Sequence, residues 1–236
     1  MRSASAGSGF ATWLVAGGLF AAALLLRLVF LRYPQGDFPG GMNAGRTGWL
    51  VLVIFAALAA ALFWYDTRPR TAERTADRNV GILLGVLCGC LWVLEISFNN
   101  FADLRLSTAS ARLFVDDGTW ATVGVSILAA ALWRARRGTF GAGLAVGFWS
   151  GLVSGLIACL MGLLLAVLWM PALLRDPLNV AEYGARVPNR TPGMAAYFAY
   201  ETAAGAVGHL LVLGVAMGLL LGALGGALGR LFRPRS

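Results

Sequence analysis

The chain has 236 residues, 58% of them apolar and only 13% charged, with a mean hydropathy of +0.73. Apart from Arg27 and Glu95, every charge falls outside six apolar stretches, which excludes a soluble domain, a disordered chain and a disulfide-rich secreted module. The net charge of +8 would suggest nucleic acid in a soluble protein, but in a chain this apolar basic loops fix orientation in a bilayer, and no nucleic-acid partner is expected.

A hydrocarbon core of about 30 Å takes roughly 20 apolar residues to cross. The sequence therefore predicts an all-α, polytopic transmembrane helical bundle, a single integral membrane domain over residues 1–236. Its six spans are Phe10–Leu31, Gly48–Tyr65, Val80–Phe98, Gly118–Trp133, Gly141–Met170 and Ala206–Gly229. The first is too long for the apolar part of a cleaved signal peptide and reads as a retained helix. The stretch Asp66–Asn79 carries a near-repeat, Thr71-Ala72-Glu73-Arg74 and Thr75-Ala76-Asp77-Arg78, and reads as a solvated charged loop or a short polar helix. The fourth span, 118–133, is short enough to be re-entrant or to sit in thinned bilayer. The fifth is long enough to tilt or project. Residues 171–205 form the one substantial connection, an outer-side loop broken up by Pro171, Pro177, Pro188 and Pro192. Asn189-Arg190-Thr191 matches a glycosylation acceptor, which carries no meaning in a bacterium.

All 19 basic residues are Arg, which points to a GC-rich bacterial genome and so to the cytoplasmic membrane. Six spans place both termini on one side. That side would carry Arg2, Arg68, Arg70, Arg74, Arg78, Arg134, Arg136, Arg137, Arg230, Arg233 and Arg235. The other would carry Arg32, Arg46, Arg105, Arg112, Arg175, Arg186 and Arg190. The richer side is expected to be cytoplasmic. Trp13, Trp49, Trp64, Trp120, Trp133 and Trp169 lie near span ends as interfacial aromatics, whereas Trp92 and Trp149 lie deeper as packing residues.

Glycine recurs at every fourth residue in three spans: Gly81, Gly85, Gly89; Gly143, Gly147, Gly151, Gly155; and Gly214, Gly218, Gly222, Gly226. Such ridges let helix backbones approach where lipid supplies no hydrophobic drive. They are expected to pack spans 3, 5 and 6 together at one depth, in the cytoplasmic half, leaving the outer half freer to separate. Four residues rotate a helix by roughly 400°, so each ridge drifts by about 40° per step.

Charges inside a membrane are functional candidates by default. Arg27, Glu95, Asn99, Glu201 and His209 are all expected at similar depth toward the outer side, with Arg27 the natural partner of Glu95. Cys88, Cys90 and Cys159 read as apolar filler. With one His in the chain, no Cys/His metal site is expected, and no cofactor either. Ser150 and Ser154 should not reach His209, and no other catalytic set is present, so no catalytic residue and no enzyme is expected. The sequence thus leaves a non-catalytic membrane subunit, sensor or scaffold whose partners are the bilayer and a membrane protein or second copy. The alternative is a small-solute transporter or channel with an outward-facing polar site.

Overall fold

The computed structural model describes residues 6–34, 44–67, 71–101 and 106–232. Of the arginines used to orient the chain, Arg2, Arg68, Arg70, Arg105, Arg233 and Arg235 lie outside them. The chain is about 90% helical, without strands among the described residues, and six of its helices are long and apolar enough to cross a membrane. The protein is a membrane helical bundle, as its composition requires: with no water to satisfy backbone groups, an apolar segment must satisfy its own.

The long helices are α1 (Ala6–Arg32), α2 (Ala44–Asp66), α3 (Ala72–Asn100), α4 (Ala109–Arg137) and α5 (Phe140–Leu168). Two short ones follow, α6 (Met170–Leu174) and α7 (Pro177–Arg186). The last membrane helix runs unbroken over Met194–Leu231 as α8 (Met194–Gly208), a π-helical segment (His209–Ala216) and α9 (Met217–Leu231).

Three boundaries differ from the sequence expectation. The fourth span is not short, because α4 has 29 residues, about 43 Å at 1.5 Å per residue. Its polar ends, with Asp116 and Asp117 before and Arg134, Arg136 and Arg137 after the apolar stretch, continue the helix although hydropathy fades. Of the charged stretch Asp66–Asn79, residues 72–79 form the first turns of α3. Thr71 begins it, its hydroxyl accepting from the Arg74 amide at 3.3 Å. Finally, the connection 171–205 is largely helical. Pro171 and Pro177 occupy first-turn positions of α6 and α7, where proline starts a helix, and Asp176 caps α7 by accepting from the Leu178 amide at 3.0 Å. The last helix starts at Met194, twelve residues earlier than its apolar stretch, Ala206–Gly229, suggests.

The chain divides into two compact units. The first is Met1–Asp66, Ile96–Arg112 and Cys159–Val207; the second is Thr67–Glu95, Leu113–Ala158 and Gly208–Ser236.

In the second unit glycine sets the geometry. A methyl carbon at Gly143, Gly147, Gly151 or Gly155 would fall within 2.1–2.9 Å of the α5 ridge's partners, the backbone at Gly226, Gly222, Gly218, Gly214 and His209. Ridge meets ridge, and the two helices run antiparallel. The α3 ridge instead receives side chains: Gly81 faces Trp149, Gly85 faces Val153 and Gly89 faces Ile157, with the helices parallel. Gly225 and Gly229 receive Ala131 and Ala135 of α4. All three ridges therefore lie at one depth. The same end of the unit holds a partly buried ion pair, in which Arg134 grips Asp77 with Nε at 2.7 Å and with its second nitrogen. The Arg78 side chain is fully buried there, and the Arg137 guanidinium lies 4.6 Å from the Trp133 ring centroid.

In the first unit α1 buries Leu19, Ala22, Leu26 and Val29, a stripe at helical spacing. It pairs with α2 through Trp13 edge-on to Phe63, centroids 4.7 Å apart. The Arg32 guanidinium donates to the Val167 carbonyl at 2.7 Å, meeting the negative end of α5. Arg112 ties to Asp176 at 2.7 Å, and its Nε donates to the Leu106 carbonyl at 3.0 Å, so the α7 cap is also half of an ion pair.

Candidate functional site

Arg27, Asn99 and Glu201 belong to the first unit; Glu95 and His209 belong to the second.

Arg27 lies five residues before the end of α1, exposed, at a half-open cavity of about 210 Å³. The walls are Phe30 and Pro34 after it, Gly45, Gly48, Trp49 and Leu52 at the start of α2, and Tyr200 on α8. Phe30 stacks on Tyr200 with centroids 5.8 Å apart, which fixes α8 beside α1 and closes the cavity's back wall. Gly48 is needed for the Phe30 ring, since a methyl carbon there would sit 2.3 Å from it. No described residue of the first unit forms an ion pair or hydrogen bond with Arg27.

Glu201 is half-buried on α8, one residue after Tyr200 and one helical turn after Tyr197. Tyr197 and α7 make a polar network. The Tyr197 hydroxyl donates to Glu182 at 3.4 Å, Arg186 pairs with Glu182 at 3.3 Å, and the Tyr183 hydroxyl donates to the Pro192 carbonyl at 2.7 Å. Hydrogen bonding to Tyr197, then the charge of Glu182, holds the Arg186 guanidinium above its ordinary value. This network clasps α7 to the start of α8, and Glu201 adds a second carboxylate beside it. Asn99 occupies the last turn of α3, half-buried, where the neighbouring Asn100 side chain donates to the Ile96 carbonyl at 2.8 Å.

In the second unit Glu95 is buried on α3, one turn after Trp92. Trp92 meets His209 edge-on at 5.0 Å between centroids and Trp120 at 6.2 Å. T-shaped contacts of this kind contribute about 0.5–1.5 kcal/mol each beyond the area they bury. His209 opens the π-helical segment, and its carbonyl faces Gly155 and Gly214. A π-helical turn is rare and concentrates at functional positions. The sequence places Trp92 and Glu95 on one face of the third span and His209 at the depth of Glu95, but not Trp120 as their neighbour, because the expected α4 boundary puts that ring at a membrane interface. It also missed Arg112 with Asp176 and Asp77 with Arg134. Asp176 before Pro177 is a helix-start signal that was available; the arginine partners left none.

Among the described residues no three His, Cys, Asp or Glu side chains converge as metal ligands. Cys88 and Cys159 are buried and Cys90 exposed, so Cys88 and Cys90 of α3 point apart as their spacing requires. No protein-family model matches the chain, and no curated protein or solved structure matches it significantly.

Proposed function

We propose that this chain is a non-catalytic subunit or scaffold of the bacterial cytoplasmic membrane that works by holding a membrane-protein partner, or a second copy, against its lipid-facing helices. The observation that carries this reading is the α5–α9 seam. Four successive glycines of α5 bring its backbone against that of the π-helical segment and α9 with no space for a side chain. A path for solute through this seam, or a rocking of these helices against each other, requires separating a close-packed interface. The second support is α4, whose buried residues are limited to Val123, Ile127, Ala131 and Ala135, leaving Phe114 and Val125 exposed. Both termini are assigned to the cytoplasm. Arg134, Arg136, Arg137 and Arg230 gather at one end of the second unit, which supports that orientation.

The transporter reading is favoured by one observation, the π-helical segment beginning at His209. A photo-reactive residue at Phe114 or Val125, activated in cells, separates the two readings. A scaffold gives a cross-linked product of defined mass containing a partner or a second copy. Lipid adducts alone at both positions, together with solute flux in proteoliposomes of the purified chain, would sink the scaffold reading.

A further inference from the structure

A guanidinium keeps its charge in apolar surroundings, so the charge of Arg27 must be met by water, a carboxylate or a ligand. Among the described residues the walls of the cavity beside it offer no carboxylate: they are aromatic rings, glycines, Pro34 and Leu52. On the two helices that flank it, Leu28 and Leu31 of α1 and Trp49 and Val53 of α2 are exposed apolar residues, Trp49 itself lining the cavity. A ligand that arrives along these helices therefore comes from the lipid, chains first. At about 210 Å³ the cavity holds roughly seven waters' volume, enough for a headgroup but not for acyl chains.

We propose that the Arg27 cavity seats the headgroup phosphate of a net-anionic membrane phospholipid, whose chains lie along the exposed apolar faces of α1 and α2. Arg27 forms the charge-assisted contacts to the phosphate oxygens, and Trp49 lies at the interface depth that indole rings favour. Basic clefts between membrane helices recognise lipid headgroups by this chemistry. The site is independent of the scaffold reading, because a bundle that holds no partner retains its lipid all the same.

The test is native mass spectrometry of the full chain released from micelles, equilibrated with phosphatidylglycerol or phosphatidylcholine. The intact protein should retain one phosphatidylglycerol in preference to phosphatidylcholine. Arg27→Gln should reduce that preference by roughly tenfold or more, the scale of a lost charge-assisted contact. Arg27→Lys, which reaches the interface equally but lacks the planar fork, should lose part of it. Leu52→Trp fills the cavity from the α2 side with Arg27 in place, and should lose retention while the melting temperature stays within a few degrees of the parent. Arg175→Gln, an exposed arginine of the same unit away from the cavity, should change nothing. Unaltered retention in Arg27→Gln or in Leu52→Trp overturns the assignment. So does equal retention of phosphatidylcholine, or complete displacement by millimolar inorganic phosphate, which would make the cavity a site for a soluble anion.

Discussion

Replacing Gly147 by Ala tests the seam directly. A methyl carbon at this position would lie 2.4 Å from both the Gly218 carbonyl oxygen and the Gly222 Cα. Backbone atoms cannot rotate away, so the helices must part by about 1 Å to reach ordinary contact. A gap of 0.5–1 Å forfeits about a quarter to a half of each dispersion contact along the seam. Overpacking of this kind costs about 1–3 kcal/mol. Alanine recovers about 0.5–1 kcal/mol of helix propensity, so a net loss of about 1–2 kcal/mol is expected. Gly17→Ala is the matched control. Its methyl carbon meets nothing within 4 Å, and the same propensity term should leave that variant neutral to about 1 kcal/mol more stable. Reversible unfolding of the two variants in the same mixed micelles gives both free energies. Equal stability of Gly147→Ala and Gly17→Ala would show that steric closure of the seam has no energetic weight.

Two further perturbations address the ion pairs. Arg134→Ala leaves the Asp77 carboxylate, only 7% exposed, without its main counter-charge. A loss of about 3 kcal/mol or more is expected, with much of it restored by adding Asp77→Asn; additive losses in the double variant would show that the pair is not coupled. Asp176→Asn keeps an oxygen to cap α7 but loses the charge pairing with Arg112, whereas Asp176→Ala loses both. The alanine variant should be the less stable by about 1 kcal/mol, and limited proteolysis between Leu174 and Met194 should be faster in it than in the asparagine variant.

What was legible in the sequence follows from what a bilayer makes distinctive. Six spans were readable because a charge is expensive in lipid, and the glycine ridges because only glycine allows backbone contact. The face of α1 that carries Leu19, Ala22, Leu26 and Val29 was not, because lipid-facing and core-facing positions are equally apolar: Leu28 and Leu24, in the same helix, are exposed. Helix ends were misjudged where apolarity and helicity part company. The α4 ends are polar yet helical, and Asp77 and Arg78 stay helical because burial there comes with partners; Asp77 has Arg134. For the polar candidates, the sequence supplied depth but not azimuth. Similar depth puts Arg27, Glu95, Asn99, Glu201 and His209 in one group; Arg27, Asn99 and Glu201 belong to one compact unit, Glu95 and His209 to the other.

The π-helical segment resolves a difficulty that helix geometry poses for the last membrane helix. Buried positions recur through α8 at Ala196, Ala199, Ala203 and Ala206, then at Leu210, Gly214, Gly218, Gly222 and Gly226. From Ala206 onward every step is four residues, and four α-helical residues overshoot a full turn by about 40°. Five such steps in regular α-helix would carry the ridge to the opposite face, away from α5. A wider i→i+5 turn rotates the chain less per residue, so four of its residues fall short of a turn and the drift is reversed. The segment His209–Ala216 lies where that correction is needed, following the alanine stripe and holding the first glycine of the ridge, Gly214. A π-helical turn is rarely adopted, which marks it as the less favourable ladder and predicts a readout. In hydrogen exchange of the chain in nanodiscs, amides of Leu213–Ala216 should exchange faster than those of Gly222–Gly229, although both stretches lie within the same span. Equal protection would mean that the π turn is as firmly closed as the α-helix beyond it, and the register correction would then carry no weakness at His209.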